Sequence, residues 1–506
     1  DLIERFYRAF ETTKKTITLF SMGVNQSSQG TDKVNAIINC HLATGRIGKP
    51  GASPFSMTGQ PNAMGGREVG GLANMLAAHM DFDQAERVQT FWDSPTIATT
   101  PGHKAVDLFE QVEAGKIKAL WIMATNPAVS LPNVNQVRKA LSQCDFVAVS
   151  DCTANTDTMA YADVALPAAA WGEKNGTVTN SERCISRQRP FVPLPGEARG
   201  DWWIISQVAQ RMGYSDAFDY ISPAEIFSEH ARLSAFENNG KRDFDIGGLS
   251  DLSETDYNAL EPVQWPVRSS HSGQQGQGTQ RLFADGEFFT PNKKARFVAT
   301  AASHPGHAIS EQFPLTLNSG RLRDHWHTMT RTGKSAHLSG HRSEPLLAIH
   351  PEDALKYGLQ DSGICRVTSR WGAATFRANI SKEQRRGEIF LPIHWTDQYA
   401  SDAITGKLVN PVVDPHSGQP EFKHTPVKVA PAPQAWHAFS LTQTPVENAD
   451  LIANGVSYWT KITGVQHSRY ELAGEQPLSD PKAWAHQLLN ANQVSATPAA
   501  AWLEYS

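Results

Sequence analysis

The sequence predicts an α/β protein in which a parallel-sheet lobe precedes a compact β-barrel, and two patterns carry that prediction. From Lys116 onward the apolar runs "ALWIMA" and "DFVAVS" flank an amphipathic stretch ending "VNQVRKAL". That order is a β-α-β crossover between parallel strands. Farther on, "FPLTLNSGR", "LLAIHPEDALKYGLQDSGICRVTSRWGAATFRANIS" and "GEIFLPIHW" are short β-branched runs separated by glycine-containing turns, grouped around a single helix. They predict a barrel ending near Val429.

The remaining elements follow in chain order. The opening "DLIERFYRAFETTKKTITLFSMG" reads as a helix running into a buried strand in mid-domain, so further sequence is expected upstream of Asp1. The polar "SSHSGQQGQGTQ" predicts an exposed loop, and "AASHPGHAISEQFP" an interdomain linker. At 506 residues, the chain divides into an α/β core over 1–310, the barrel over 311–430, and a stiff "APAPQ" linker with a C-terminal extension over 431–506.

Composition excludes several classes. A net charge of -5 provides no broad cationic field for nucleic acid or anionic lipid, so an anion site has to be local. No segment approaches the roughly 18 continuous apolar residues of a membrane span. Cys40, Cys144, Cys152, Cys184 and Cys365 form no CxxC pair and are odd in number, the pattern of reduced thiols in a cytoplasmic protein rather than of a disulfide framework or a cluster site. His325 and His327 have no third ligand close in sequence, so no metal site is assigned to them.

Ligands of parallel sheets bind beyond the carboxyl ends of the strands. Those ends carry Thr125, Asn126 and Pro127 after the first strand, and Ser150 and Asp151 after the second. A carboxylate there suits a ribose hydroxyl or a guanine edge, and equally suits capping of the next turn. The G-x-G-x-x-G fingerprint follows neither strand, which argues against a simple nicotinamide or flavin dehydrogenase. The stretch "GQPNAMGGREVGG" (59–71) places Arg67 among glycines, where read alone it is a surface arginine pairing Glu68 or a helix carboxylate. The apolar spacing of "LANMLAAHM" predicts a helix directly after it, with its N-terminal end near Arg67.

Several long motifs, in order, carry a family resemblance. "SMGVNQSSQG", "INCHLATGRIGKPGASPFSMTGQPNAMGGREVGG" and "SDCTANTDTMAYADVALPAAAWGEKNGTVTNSER" resemble bacterial nitrate reductases of the molybdopterin oxidoreductase family, most closely the cytoplasmic assimilatory group. "HPEDALKYGLQDSG" with "ICRVTSRWG" resembles that family's molybdopterin-dinucleotide-binding barrel, of double-psi type, which makes the preceding lobes dinucleotide-binding as well. The resemblance implies reduction of nitrate to nitrite by oxygen-atom transfer at a molybdenum held by two molybdopterin guanine dinucleotides. Electrons would come through an iron–sulfur cluster from ferredoxin, flavodoxin or an NADH-dependent reductase subunit.

By that resemblance Arg67 and Met22 line the base of the substrate funnel. Met22, Gln26, Asn126, Ser150, Asp151, Lys174 and Asp201 match cofactor-contacting positions, as do Ser319, Gly320, Arg321, His325, Trp326, His327 and Thr328 of "SGRLRDHWHT", with Asn410 and Lys423. Read alone, Met22 is a core filler, Lys174 an exposed unpaired lysine, and Asp201 a helix N-cap. Relatives read "NSERR" where this chain has "NSERC", placing Cys184 at an arginine position. The family's cluster cysteines and its molybdenum-ligating cysteine belong upstream of Asp1, so this length of chain alone is expected not to catalyse. A formate dehydrogenase of the same family shares the fold, but generally pairs the arginine with a histidine that "GQPNAMGGREVGG" lacks. A non-catalytic cofactor-binding or scaffold subunit is the remaining alternative.

Overall fold

The computed structural model describes residues 1–432 except 72–73, 270–277, 280, 343 and 401, and beyond them the backbone of four strands within 436–505. The β-α-β unit forms as the sequence predicts. Ala119–Met123 pairs in parallel with Phe146–Asp151, which pairs in parallel with Val164–Pro167. The crossover helix Val134–Gln143 buries Val134, Val137, Ala140 and Leu141, the face that its spacing dictates. That face packs with Phe109 and Val112 of the helix Ala105–Glu113 onto Leu120, Ile122, Val147 and Val149 of the sheet.

At the start of the chain, the helix Leu2–Thr12 leads into the strand Ile17–Phe20, which pairs in parallel with Ser53–Ser56 through the intervening helix Gly30–Ala43. The strand is not buried as expected, since Ile17 is 52% and Leu19 60% exposed. The sheet has two strands and the helix Gly30–Ala43 on one side, so alternate side chains face outward uncovered by other described residues.

A third sheet went unforeseen among the parallel lobes. Gly176–Thr179, Cys184–Gln188 and Val263–Gln264 are antiparallel, and pack with the helix Pro223–Ala235 around Phe227, Phe244, Ile246, Tyr257 and Trp265.

The barrel closes with six strands. In spatial order they are Leu346–Ile349, Ala373–Ile380, Ile364–Thr368, Thr425–Pro431, Leu315–Gly320 and Glu388–Pro392, the last returning to the first. Two neighbouring pairs are parallel and four antiparallel. The expected helix is Pro351–Lys356, begun by His350, whose Nδ1 accepts from the Glu352 amide, and by proline at the first position. It is not the single helix expected: Ala336–His341 adds a turn on the excursion between the first two strands in sequence. Residues 301–314 are irregular, as a linker should be, yet are pinned to the barrel: His424 Nε2 lies 2.8 Å from the His307 carbonyl, and the Gly306 amide donates to Glu421. The loop "SSHSGQQGQGTQ" lies largely outside the described residues.

Candidate functional site

The glycine-rich stretch is itself partly helical. Ala63–Glu68 is a one-and-a-half-turn helix, Arg67 is in its last turn and exposed, and Glu68 points inward. Arg67 does not pair with Glu68, whose Oε1 accepts from Trp265 Nε1 at 2.5 Å and whose Oε2 accepts from the Thr179 hydroxyl at 2.8 Å. Among the described residues the Arg67 side chain has no hydrogen-bonding or ion-pair partner.

Among the described residues of that stretch, 74–80, the expected helix does not form. Ala77 and Met80 close a tight turn with Ala78 and His79 in the left-handed region, at φ 47° and 59°. Gly70, at φ +87°, ends the preceding helix where a Cβ would stand 2.4 Å from the Leu76 carbonyl oxygen. Arg67 therefore sits at the negative, C-terminal end of a short helix, not near the positive end of a following one.

Met22 opens the short helix Met22–Asn25 directly after the strand Ile17–Phe20, and Gln26 caps it. Both side chains are half-buried, so Met22 is not core filler. Neither has a polar contact with Arg67, which lies on a separate element.

Gly59 joins the glycine stretch to the barrel. A Cβ on it would stand 2.1 Å from the Trp326 ring and 2.8 Å from Arg321 Nη1, so only glycine allows the contact. The Arg321 guanidinium lies over the Trp326 ring at 3.9 Å, and has no carboxylate partner among the described residues. Ser319 and Gly320 end the barrel strand beneath it: the Ser319 hydroxyl donates to the Phe422 carbonyl, and its own carbonyl accepts from Lys423 Nζ. Burial, and then the charge of Arg321, push the Lys423 ammonium down to about 8. His327, Thr328 and Met329 follow with φ of 43°, 52° and 60°, three successive left-handed residues of the strained kind that cluster at binding sites. Burial lowers the His327 pKa, helped by Arg321 and Arg331.

His325 is a core histidine. It is 2% exposed, its Nδ1 and Nε2 each lie 3.2 Å from an oxygen, on Thr332 and Arg342, and its ring packs against His394 and Trp395. Asn410 is fully buried, donating to the carbonyl of His424 and the hydroxyl of Thr425 and accepting from the Val412 amide, all within the barrel.

The α/β strand ends reach this loop. Asn126 Oδ1 accepts from the amide and hydroxyl of Thr158, while its Nδ2 donates to Thr328 at 3.0 Å, tying the sheet edge to the barrel. Ser150 is buried and accepts from Trp121 Nε1. Asp151 does cap the next turn, accepting from the Thr153 amide at 2.9 Å, and burial raises its pKa while Arg331 opposes that rise. Lys174 is not unpaired: it meets Asp201 at 2.5 Å, and Asp201 is the first residue of its helix behind Gly200, with its carboxylate turned to the lysine rather than to the helix amides. The structure thus joins two expected cofactor residues directly. Sequence reasoning missed Arg331, Thr158 and His394, whose Nε2 accepts from the Leu322 amide at 2.8 Å. For His394 a signal existed in "LPIHW", a polar residue two positions after the end of a buried strand.

Arg67, Arg321 and Lys423 are cations without a neutralising carboxylate among the described residues, and Lys423 and Arg321 repel each other. Arg67 is exposed, but Arg321 and Lys423 are partly buried, and unneutralised cations there are costly unless an anion is their intended partner. The donor set therefore fits a phosphate-bearing group lying over the ends of the barrel strands.

Comparison with known proteins agrees with this chemistry. Residues 2–211 match the family described as "Molybdopterin oxidoreductase", and residues 315–426 the "Molydopterin dinucleotide binding domain". The chain belongs to the molybdopterin oxidoreductase family. Among its relatives in this family, a "Nitrate reductase" of Klebsiella oxytoca is 51% identical over 448 residues, covering 88% of this chain and 50% of the relative. An "Assimilatory nitrate reductase catalytic subunit" of Bacillus subtilis is 33% identical over 419 residues, covering 81% and 56%. An "F420-dependent formate dehydrogenase subunit alpha" of Methanocaldococcus jannaschii is 31% identical over 434 residues, covering 85% and 60%. The chain spans about half the length of the curated nitrate reductases it matches.

Proposed function

We propose that this chain is the cofactor- and substrate-binding portion of an assimilatory nitrate reductase, working in the cytoplasm and reducing nitrate to nitrite. The observation that carries the reading is Arg67: an exposed, unpartnered guanidinium on a helix that begins four residues after Gly59, itself packed on Arg321 and Trp326. Support comes also from the nitrate reductase at 51% identity, against 31% for the formate dehydrogenase.

When bound, a bis(molybdopterin guanine dinucleotide) molybdenum centre supplies the two-electron oxygen-atom transfer. The protein's own part is binding and orientation. Arg321 and Lys423 offer charge to pyrophosphate, and the strand-end residues Asn126, Ser150 and Asp151, with Lys174 and Asp201, bound the dinucleotide on the α/β side. Arg67 presents a planar fork of N–H donors that matches two oxygens of the planar nitrate anion. The helix dipole opposes an anion at this end, so the attraction rests on the guanidinium. Met22 contributes an apolar, adaptable wall. An iron–sulfur cluster would supply that centre with electrons, from a ferredoxin, a flavodoxin or an NADH-dependent reductase subunit.

The test is turnover by the full-length, cofactor-loaded protein supplied with a reduced dye and nitrate, and separately with formate and an oxidised dye. Nitrite formation without formate oxidation is expected. Formate oxidation without nitrite formation assigns the chain to the other branch, and metal-free protein inert to both makes it a scaffold.

A further inference from the structure

The helix that carries Arg67 has six residues, too few to hold its own conformation, so contacts at its ends decide where Arg67 points. Both ends are fastened to one residue. At the N-terminal end Asn62 Oδ1 accepts from the Thr179 backbone amide at 2.8 Å, and at the C-terminal end Glu68 Oε2 accepts from the Thr179 hydroxyl at 2.8 Å. Thr179 is 2% exposed and ends the strand Gly176–Thr179, so the clamp belongs to a sheet rather than to a loop. The second oxygen of Glu68 is held by the Trp265 indole N–H. That ring is fixed edge-on by His79, whose Nδ1 stands 3.3 Å from both oxygens of Asp243. None of these groups is among the residues assigned to the cofactor or to nitrate.

We infer that Thr179 and Glu68, backed by Trp265 and the His79–Asp243 pair, are positioning residues that aim Arg67 at the anion. The inference rests on the reading of Arg67 as the nitrate-binding residue. A guanidinium fork binds two oxygens only within a narrow range of approach, and a side chain one position along the helix from a clamped carboxylate inherits its direction from that clamp. Losing the Thr179 hydroxyl frees one oxygen of a buried carboxylate, and the helix end shifts to satisfy it.

The experiment compares Thr179→Val, Thr179→Ser, Arg67→Ala and the double variant Arg67→Ala/Thr179→Val in the full-length, cofactor-loaded protein. Nitrate KM, kcat, metal content and the thermal unfolding midpoint are measured for each. The expected result for Thr179→Val is about a tenfold loss in kcat/KM for nitrate at unchanged metal content, the scale seen when groups supporting a site residue are removed. Thr179→Ser, which keeps the hydroxyl, restores activity, and Thr179→Val costs nothing further once Arg67 is gone. The inference is overturned if Thr179→Val lowers only metal content or unfolding midpoint, or if its effect persists undiminished in the Arg67→Ala background. If Arg67→Ala itself leaves nitrate kinetics untouched, the assignment of Arg67 has failed, and the inference fails with it.

Discussion

Lys423 sits where a charged lysine is costly. It is half-buried, bonded to a carbonyl rather than a carboxylate, and faces Arg321, so its pKa falls to about 8. In the unfolded chain a lysine titrates near 10.4. Between those values the unfolded chain holds a proton that the fold has released, so the contribution of this residue to stability rises as pH climbs from about 8 toward 10.4. In the cofactor-free chain, Lys423→Met is expected to flatten that part of the stability curve, as measured by denaturant unfolding at successive pH values. A bound phosphate reverses the shift, because an anion favours the charged ammonium. From sequence, Lys423 was an ordinary loop residue that only the resemblance singled out. Its burial beside Arg321 arises from strands about a hundred residues apart, and no local pattern encodes that. Arg67 was more legible, because glycines crowding one arginine signal close backbone approach, though its freedom from Glu68 depended on Trp265, 197 residues away from that carboxylate.

At the scale of elements, the junction between the parallel sheet and the barrel loop depends on Asn126. Its side chain is the acceptor for the Thr158 amide and hydroxyl and the donor to Thr328, all of them buried. Asn126→Ala leaves the Thr158 amide without a partner, and is expected to lower stability by about 2–4 kcal/mol, read from the unfolding midpoint. The β-α-β unit around it was readable because buried parallel strands and an amphipathic crossover write distinct apolar periods. "LANMLAAHM" has helical spacing too, yet Ala77, Ala78 and Met80 are buried by a left-handed turn packed on Phe244 and Trp265, a case of tertiary packing overriding local preference. The antiparallel sheet escaped notice because Cys184 pairs with Gln264 across a long excursion, and Val263–Gln264 is only two residues long. The barrel was legible as a barrel, but its order was not, since two parallel pairs bring together strands distant in sequence.

Across the whole molecule, the site exists only where the lobes meet. Asp414 accepts from the Thr31 amide and hydroxyl, Glu421 from Ser28, and Arg138 pairs with Asp397, so the opening segment and the α/β lobe are both fastened to the barrel that carries Arg321 and Lys423. Glu421 and Asp414 are taken up by Ser28 and Thr31, and Lys423 at the end of the same loop has no carboxylate partner among the described residues. Gly59 against Trp326 completes the closure, bringing the stretch that bears Arg67 onto the barrel loop that carries Arg321. The proposed function divides the labour between cofactor retention, spread over many residues of three lobes, and nitrate recognition, concentrated in one guanidinium. The most direct measurement is therefore Arg67→Ala in the full-length protein, with nitrate kinetics and molybdenum content determined on the same preparation. A loss of about a hundredfold or more in kcat/KM for nitrate is predicted, from two charge-assisted hydrogen bonds removed, with molybdenum retained. Nitrate turnover that falls only in proportion to lost molybdenum would contradict it.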